Sequence, residues 1–194
     1  MECFSFNVSS HRTMSRFVVL LRGVNVGKGN KVPMAQFRAA QEDLGYDDVR
    51  TLLNSGNAVF SSTSRSAGML ASSVARVVGE RFGVATPVIV KSARDFKTIV
   101  EDAPLAPPES DRTRFVVAFA MDARALRELD SLVSLVEPGE RFAVTRRAAY
   151  LHCPGGLLKS RVGKALLGRA GRNVTTRNWA TVLKLSSLAG GSAA

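Results

Sequence analysis

An order of elements that runs through the chain once and then starts again constrains the fold more than any other feature. Arg16-Phe-Val-Val19 recurs residue for residue as Arg114-Phe-Val-Val117, 98 positions later. The elements that follow each copy also recur. After the first copy, Phe17–Leu21 is an apolar run too short for a helix, and its β-branched and aromatic residues predict a core strand. Pro33 then suits the first position of a helix, whose Met34, Phe37 and Leu44 share a face before Gly45 stops it. Val49–Leu53 and Ala58–Ser61 read as strands around an Asn54-Ser-Gly-Asn57 turn. Leu70, Val74, Val78 and Phe82 step by four along a second helix closed by Gly83, and Pro87–Lys91 is a fourth strand. Strand, helix, strand, strand, helix, strand is the split βαβ order of a ferredoxin-like unit.

Ser92 caps a short helix to Glu101, and Pro104–Asp111, with three prolines in five residues, reads as an extended linker. In the second round Phe115–Met121 is a strand, and Asp122 caps a helix carrying Leu126, Leu129 and Val133. Phe142–Thr145 and Ala149–Cys153 form a hairpin around Arg146-Arg147. Ser160 caps a helix carrying Val162, Leu166 and Ala170, and Asn173–Thr175 closes the unit. The expected fold is α+β, a tandem duplication of two ferredoxin-like βαββαβ subdomains with an added C-terminal helix. The expected boundaries are a disordered extension over 1–13 with the native start at Met14, a first subdomain over 14–103, a linker over 104–112, a second subdomain over 113–175 and the helix over 176–190. That helix needs a surface for Trp179, Val182, Leu183 and Leu185, and the cleft between the two units is the expected place. Thr175 or Thr176 is expected to cap it.

Composition narrows the function by exclusion. No apolar run approaches the ~20 residues of a membrane span, and residues 1–13 lack the pattern of a secretory signal. Two cysteines, Cys3 and Cys153, and two histidines, His11 and His152, support neither a disulfide framework nor a metal centre. A cytoplasmic protein without a cofactor is the expectation. His152 reads as a strand residue. The spacing in Gly23-Val-Asn-Val-Gly27-Lys28-Gly29 is one residue short of a Walker A loop, and no hydroxyl follows the lysine. No GxGxxG, HExxH or GxSxG occurs. The first and third strands carry one aromatic residue each, which argues against the base-stacking platform of an RNA-recognition motif.

Charge points the other way. The net charge is +11, and residues 141–194 hold ten Lys or Arg and no Asp or Glu. Such an asymmetry favours anionic partners, although 20 Arg against 7 Lys also fits a general arginine-rich composition. Polar residues gather at strand and helix ends. Arg22, Gly23, Asn25, Gly27 and Lys31 lie in the loop after the first strand, and Ser55, Gly56 and Asn57 form the hairpin turn. Lys159, Ser160 and Lys164 open a helix, and Thr176, Arg177, Asn178 and Trp179 open the last one. Backbone N–H groups at a helix start, joined by Arg or Lys, can hold an anion; ordinary capping explains the same residues. Three functions remain open: a binding module for a phosphate-bearing ligand or nucleic acid, a small-molecule enzyme with a site between the two units, and a structural or oligomerising protein.

Leu20-Leu-Arg-Gly-Val-Asn-Val-Gly27, Asn54-Ser-Gly-Asn57, Tyr150-Leu-His152 and Thr175-Thr-Arg-Asn-Trp-Ala-Thr-Val-Leu-Lys184 resemble the bacterial family called domain of unknown function 1697, from Met14 to about Leu188. The resemblance implies a tandem of ferredoxin-like subdomains and no known reaction. It carries over Arg22, Gly23, Asn25, Gly27, Ser55, Gly56, Asn57, Lys159, Ser160, Thr176, Arg177, Asn178 and Trp179 as signature residues. The chain departs from the family pattern at Gly27-Lys28, where Gly-Gly is usual, and at Leu53-Asn54, where a tyrosine or another long residue often precedes Ser-Gly-Asn.

Overall fold

The computed structural model describes residues 13–190 except 28, 106 and 108. The extension expected over 1–13 lies outside the described residues apart from Thr13. In the first half the elements are β1 (Ser15–Leu21), α1 (Met34–Glu42), β2 (Asp47–Leu52), β3 (Asn57–Ser62), α2 (Ala67–Phe82), β4 (Val88–Ser92) and α3 (Ala93–Glu101). A single 3₁₀ turn at Glu109–Asp111 interrupts the proline-rich connection. The second half comprises β5 (Phe115–Ala120), α4 (Ala123–Arg127), β6 (Arg141–Val144), β7 (Ala149–His152), α5 (Arg161–Leu167), β8 (Val174–Asn178) and α6 (Trp179–Gly190). Among the described residues there are two four-stranded antiparallel sheets, ordered β2-β3-β1-β4 and β6-β7-β5-β8.

Capping residues set several boundaries. Ser66, Ser92, Asp122 and Ser160 each accept a hydrogen bond from a backbone N–H in the first turn of the helix that follows. Gly83 ends α2 in the left-handed region, with φ +64° and its N–H on the Gly79 carbonyl.

Four sequence expectations need correction. Helix α1 stops at Glu42, so Leu44 packs from the loop after it. The helix begun at Asp122 tightens after Arg127 into a 3₁₀ segment, Glu128–Leu135. With three residues per turn, Leu129 and Leu132 reach the core, and Val133 is left 61% exposed. Helix α5 ends at Leu167 because Gly168 leaves the helical region, and Ala170 lies beyond it, exposed. The last strand runs to Asn178, so α6 starts at Trp179, three residues later than expected. Its cap is Asn178, whose side-chain oxygen accepts from Thr181 N at 2.9 Å, in place of Thr175 or Thr176.

Apolar residues form three layers. The outer layer of the first half joins one face of its sheet, with Phe17, Val19, Leu21 and Phe60, to α1 and α2 through Phe37, Leu70, Val74 and Val78. The outer layer of the second half joins Val116, Ala118 and Ala120 to Leu126, Leu129, Val162 and Leu166. The central layer lies between the sheets. Val18, Leu20 and Ile89 meet Phe115, Val117, Phe119 and Tyr150 there, with α3 and α6 supplying Phe96, Ile99, Trp179, Val182 and Leu185. Helix α6 packs on β1 and β3 of one sheet, on β5 and β8 of the other, and on α3. The Tyr150 hydroxyl donates to the Ile99 carbonyl at 2.7 Å, tying β7 to α3. Burial pushes its phenol up to about 12, so it stays a donor at neutral pH.

This layering corrects the reading of the RFVV match. Phe17 faces the outer layer of its half, and Phe115 faces the central layer. Side chains alternate along a strand, so identical residues on opposite faces are out of step by an odd number of positions. The recurrence of elements does not depend on this four-residue identity.

Candidate functional site

The buried centre of the polar signature is Arg177 on β8. Its Nε donates to Asn57 Oδ1 on β3. Its Nη1 donates to Thr175 Oγ1 at 2.7 Å and to the Thr176 carbonyl at 2.8 Å. Its Nη2 donates to the carbonyls of Leu21 at 2.7 Å and Ser55 at 3.0 Å. A guanidinium has five N–H donors, and all five are taken. Two of the acceptors lie on β8; the other three belong to the end of β1, the β2–β3 turn and the start of β3. No carboxylate lies within ion-pair distance among the described residues. Burial lowers the pKa to about 10, which leaves the group charged at neutral pH. The arrangement is therefore a buried cation solvated by protein carbonyls, joining one half to the other.

Arg22 makes a second crossing in the opposite direction. From the end of β1 its Nε donates to the Val174 carbonyl at 2.9 Å, and its Nη2 to Leu167 and Gly168 carbonyls at 2.8 and 3.3 Å. Thr175 Oγ1 adds a bond to the Leu21 carbonyl at 3.2 Å. The loop after β1 is held by Asn25, at φ +56°. Its side chain donates to the Val32 and Asn54 carbonyls, at 2.8 and 2.9 Å, and accepts from Val32 N. Asn57, fully buried, donates to the Leu52 carbonyl and to Ser55 Oγ.

Gly56 is required where it stands. It sits at φ +72°, and a Cβ there would come within 2.6 Å of Val24 Cγ2 and 2.7 Å of Leu21 Cβ. Gly56→Ala is expected to destabilise the protein by about 1–3 kcal/mol, from left-handed strain and overpacking. Urea unfolding would check this, with Gly27→Ala as a comparison. Gly27 has positive φ but no atom within 4 Å of the added Cβ, so its cost isolates the backbone contribution.

Around these bonds lies an open cavity of about 410 Å³, lined by Arg22, Gly23, Ser55, Thr176, Arg177 and Asn178 among others. The structure thus gathers six of the sequence candidates around one space, with Asn25, Gly56 and Asn57 supporting its walls. It does not bring in the rest. Gly27 and Lys31 are exposed in the outer loop, where Lys31 Nζ donates to the Gly27 carbonyl at 3.0 Å. Ser160 is a buried cap, Lys159 is exposed just before it, and Lys164 projects from α5 into solvent. Trp179 turns into the central layer, edge-on to Phe115 with ring centroids 5.3 Å apart.

Among the described residues no cluster of His, Cys, Asp and Glu could hold a metal ion. The Cys153 thiol is buried and pushed up to about 11, which suppresses thiolate chemistry. His152 is half-buried and bonded to Asp111 of the connecting segment. No helix among the described residues is long and apolar enough to cross a membrane.

The surface carries one further pattern. Seven ion pairs use Arg or Lys, and every cation in them precedes residue 125. Among the described residues, no Lys or Arg after position 140 has a carboxylate within 4 Å. Apart from Arg177 all of those cations are exposed. Sequence reasoning found this charge asymmetry. It missed the pairing of Arg177 with Asn57, which are 120 positions apart.

Fold and site together define a two-sheet α+β protein whose halves are joined by arginine–carbonyl crossings, the Arg177 one buried. The chain belongs to the family described as protein of unknown function (DUF1697), which matches residues 14–150. The closing Thr175–Lys184 motif lies outside that match. A solved structure of a conserved bacterial protein from Streptococcus pneumoniae is similar, at 25% identity and a TM-score of 0.75. The similarity covers 91% of this chain and 99% of that one. No curated protein matches the chain.

Proposed function

We propose that this is a cytoplasmic protein that binds a phosphate-bearing polyanion, nucleic acid in the first place, through the surface of its second half. The observation that carries the reading is the unneutralised run around α5. Lys159, Arg161, Lys164, Arg169 and Arg172 are all exposed, and none has a carboxylate partner among the described residues. Clustered cations without local anions attract phosphates and release their counterions on contact. Arg22 and Arg177 are the framework behind this surface, because their N–H groups are engaged with protein carbonyls. The two sheets share one strand order, and each half runs β-α-β-β-α-β before a further helix. We read this as two ferredoxin-like units in tandem, with boundaries near residues 103 and 113. The small-molecule enzyme is the weaker reading, since among the described residues no Asp, Glu, His, Cys or Lys lines the interface cavity to act as a base on its Ser and Thr hydroxyls.

Fluorescence anisotropy with short labelled RNA, single-stranded DNA and duplex DNA tests the proposal. Five phosphate contacts on duplex DNA predict a loss of affinity of about 10²- to 10³-fold between ~50 and ~200 mM salt. The triple variant Lys159→Glu, Arg161→Glu, Lys164→Glu should bind more weakly, with a salt slope reduced by about one for each phosphate it no longer neutralises. Absence of binding to all three probes at ~50 mM salt would remove the nucleic-acid reading.

A further inference from the structure

A second cleft lies outside the Arg22–Arg177 cavity and away from α5, and its wall residues Thr86 and Pro87 bond the Arg22 backbone. Its first chamber, about 490 Å³, runs between the small residues Ala67, Gly68, Ala71 and Ala75 of α2 and the edge of β4. A second chamber, about 220 Å³, is lined by Lys91, Asp95, Asp122, Arg146 and Arg147. Lys91 and Asp95 line both chambers, which are therefore neighbours. Arg146 and Arg147 also line a third space of about 350 Å³ that reaches Tyr150. The three spaces therefore lie side by side from the outer edge of the first sheet to the β6–β7 hairpin of the second.

The charged groups come from both halves. Lys91 stands on β4, and the two arginines form the hairpin tip. None of the three has a carboxylate within 4 Å among the described residues. The two carboxylates that line the second chamber are already engaged at helix starts. Asp122 Oδ1 accepts from Ala125 N at 2.8 Å, and Asp95 Oδ2 accepts from the Ser92 hydroxyl at 2.8 Å. Around the second chamber three cations face two carboxylates, while Asp102 lines the third space beside the same two arginines, so the positive excess is confined to the second chamber. The α2 wall of the first chamber carries no charge, and its length suits an uncharged body. The first chamber alone is of the size that small ligands occupy.

We propose that this cleft binds a small phosphomonoester, its phosphate between Lys91 and the Arg146–Arg147 tip and its uncharged body along α2 and β4. Arginine forks and a lysine ammonium are the groups that suit a phosphate dianion. Desolvation lowers the Lys91 pKa, while Asp95 and Asp122 oppose that effect and favour the charged form.

Isothermal titration with the four ribonucleoside monophosphates and ribose 5-phosphate tests the site, with the matching unphosphorylated nucleosides and ribose as controls. At least one phosphomonoester should bind, and its unphosphorylated partner should not. Arg146→Ser with Arg147→Ser, at an exposed tip that the core does not need, should weaken that binding by about tenfold or more. Lys91→Gln should do the same while melting like the parent protein. The α5 triple variant should leave it unchanged, which separates this site from the polyanion surface. Failure of all five compounds, equal binding of a nucleoside, or full affinity in the hairpin double variant would each overturn the proposal.

Discussion

Arg177→Ala is expected to cost about 3–5 kcal/mol, enough to unfold much of the protein near its working temperature. The substitution removes a guanidinium that satisfies Asn57 and the carbonyls of Leu21, Ser55 and Thr176. Those acceptors are buried or partly buried, and a buried acceptor without a donor costs more than the bond itself contributed. Lysine should not rescue it. Lysine has three donors on a point charge, whereas the site presents five acceptors in the plane of a fork. Urea denaturation of Arg177→Ala, Arg177→Lys and Asn57→Ala, with the Arg177→Ala/Asn57→Ala double variant, would measure the coupling. Coupling of at least about 1 kcal/mol is expected between residues that touch directly. Near-native stability of both Arg177 variants would show that the five bonds are not holding the halves together.

Trp179→Ala is expected to cost a similar ~3–5 kcal/mol, for a different reason. The indole is buried in the central layer against Phe115. Its loss opens a cavity where both sheets, α3 and α6 meet, and neighbours fixed from four directions collapse poorly into such a space. Removing residues from 179 onward should be worse, because it strips Val182 and Leu185 from the same layer and exposes Val18, Leu20 and Phe119. The truncated chain should be insoluble or lack a cooperative melt. A truncation that melts like the full chain would make α6 peripheral and contradict its place in the central layer.

Most of the element order was legible because local chemistry encodes it. Ser92, Asp122 and Ser160 are capping residues with a free side-chain oxygen, and they cap the helices expected of them. The failures occur where local and tertiary demands part. Val133 fits an α-helical stripe, but the segment becomes 3₁₀ and buries Leu132 instead. Thr175 and Thr176 suit a cap, yet strand pairing with Phe119 and Ala118 keeps them extended. Phe17 and Phe115 look equivalent because a four-residue identity does not say which face of a sheet becomes the outside. The binding candidates were chosen by residue type, and type does not reveal occupancy. Arg177 resembles an anion clamp in sequence, and three of its five donors are filled by groups contributed from more than 100 positions away.

The placement of β8 and α6 bears on how the molecule is made. Leu21 and Arg177 are bonded across 156 positions, and the central layer needs Trp179, Val182 and Leu185 to be complete. During synthesis the first sheet can pair and receive α1 and α2 long before those residues exist. Its inner face, with Val18, Leu20 and Ile89, must wait. Contacts of such sequence separation close slowly, because a long loop loses its freedom before any packing compensates. Helix α3 and the second sheet can cover part of that face earlier, but until α6 is made the layer lacks Trp179, Val182 and Leu185, and that interval is when a nascent chain of this kind is most prone to aggregate.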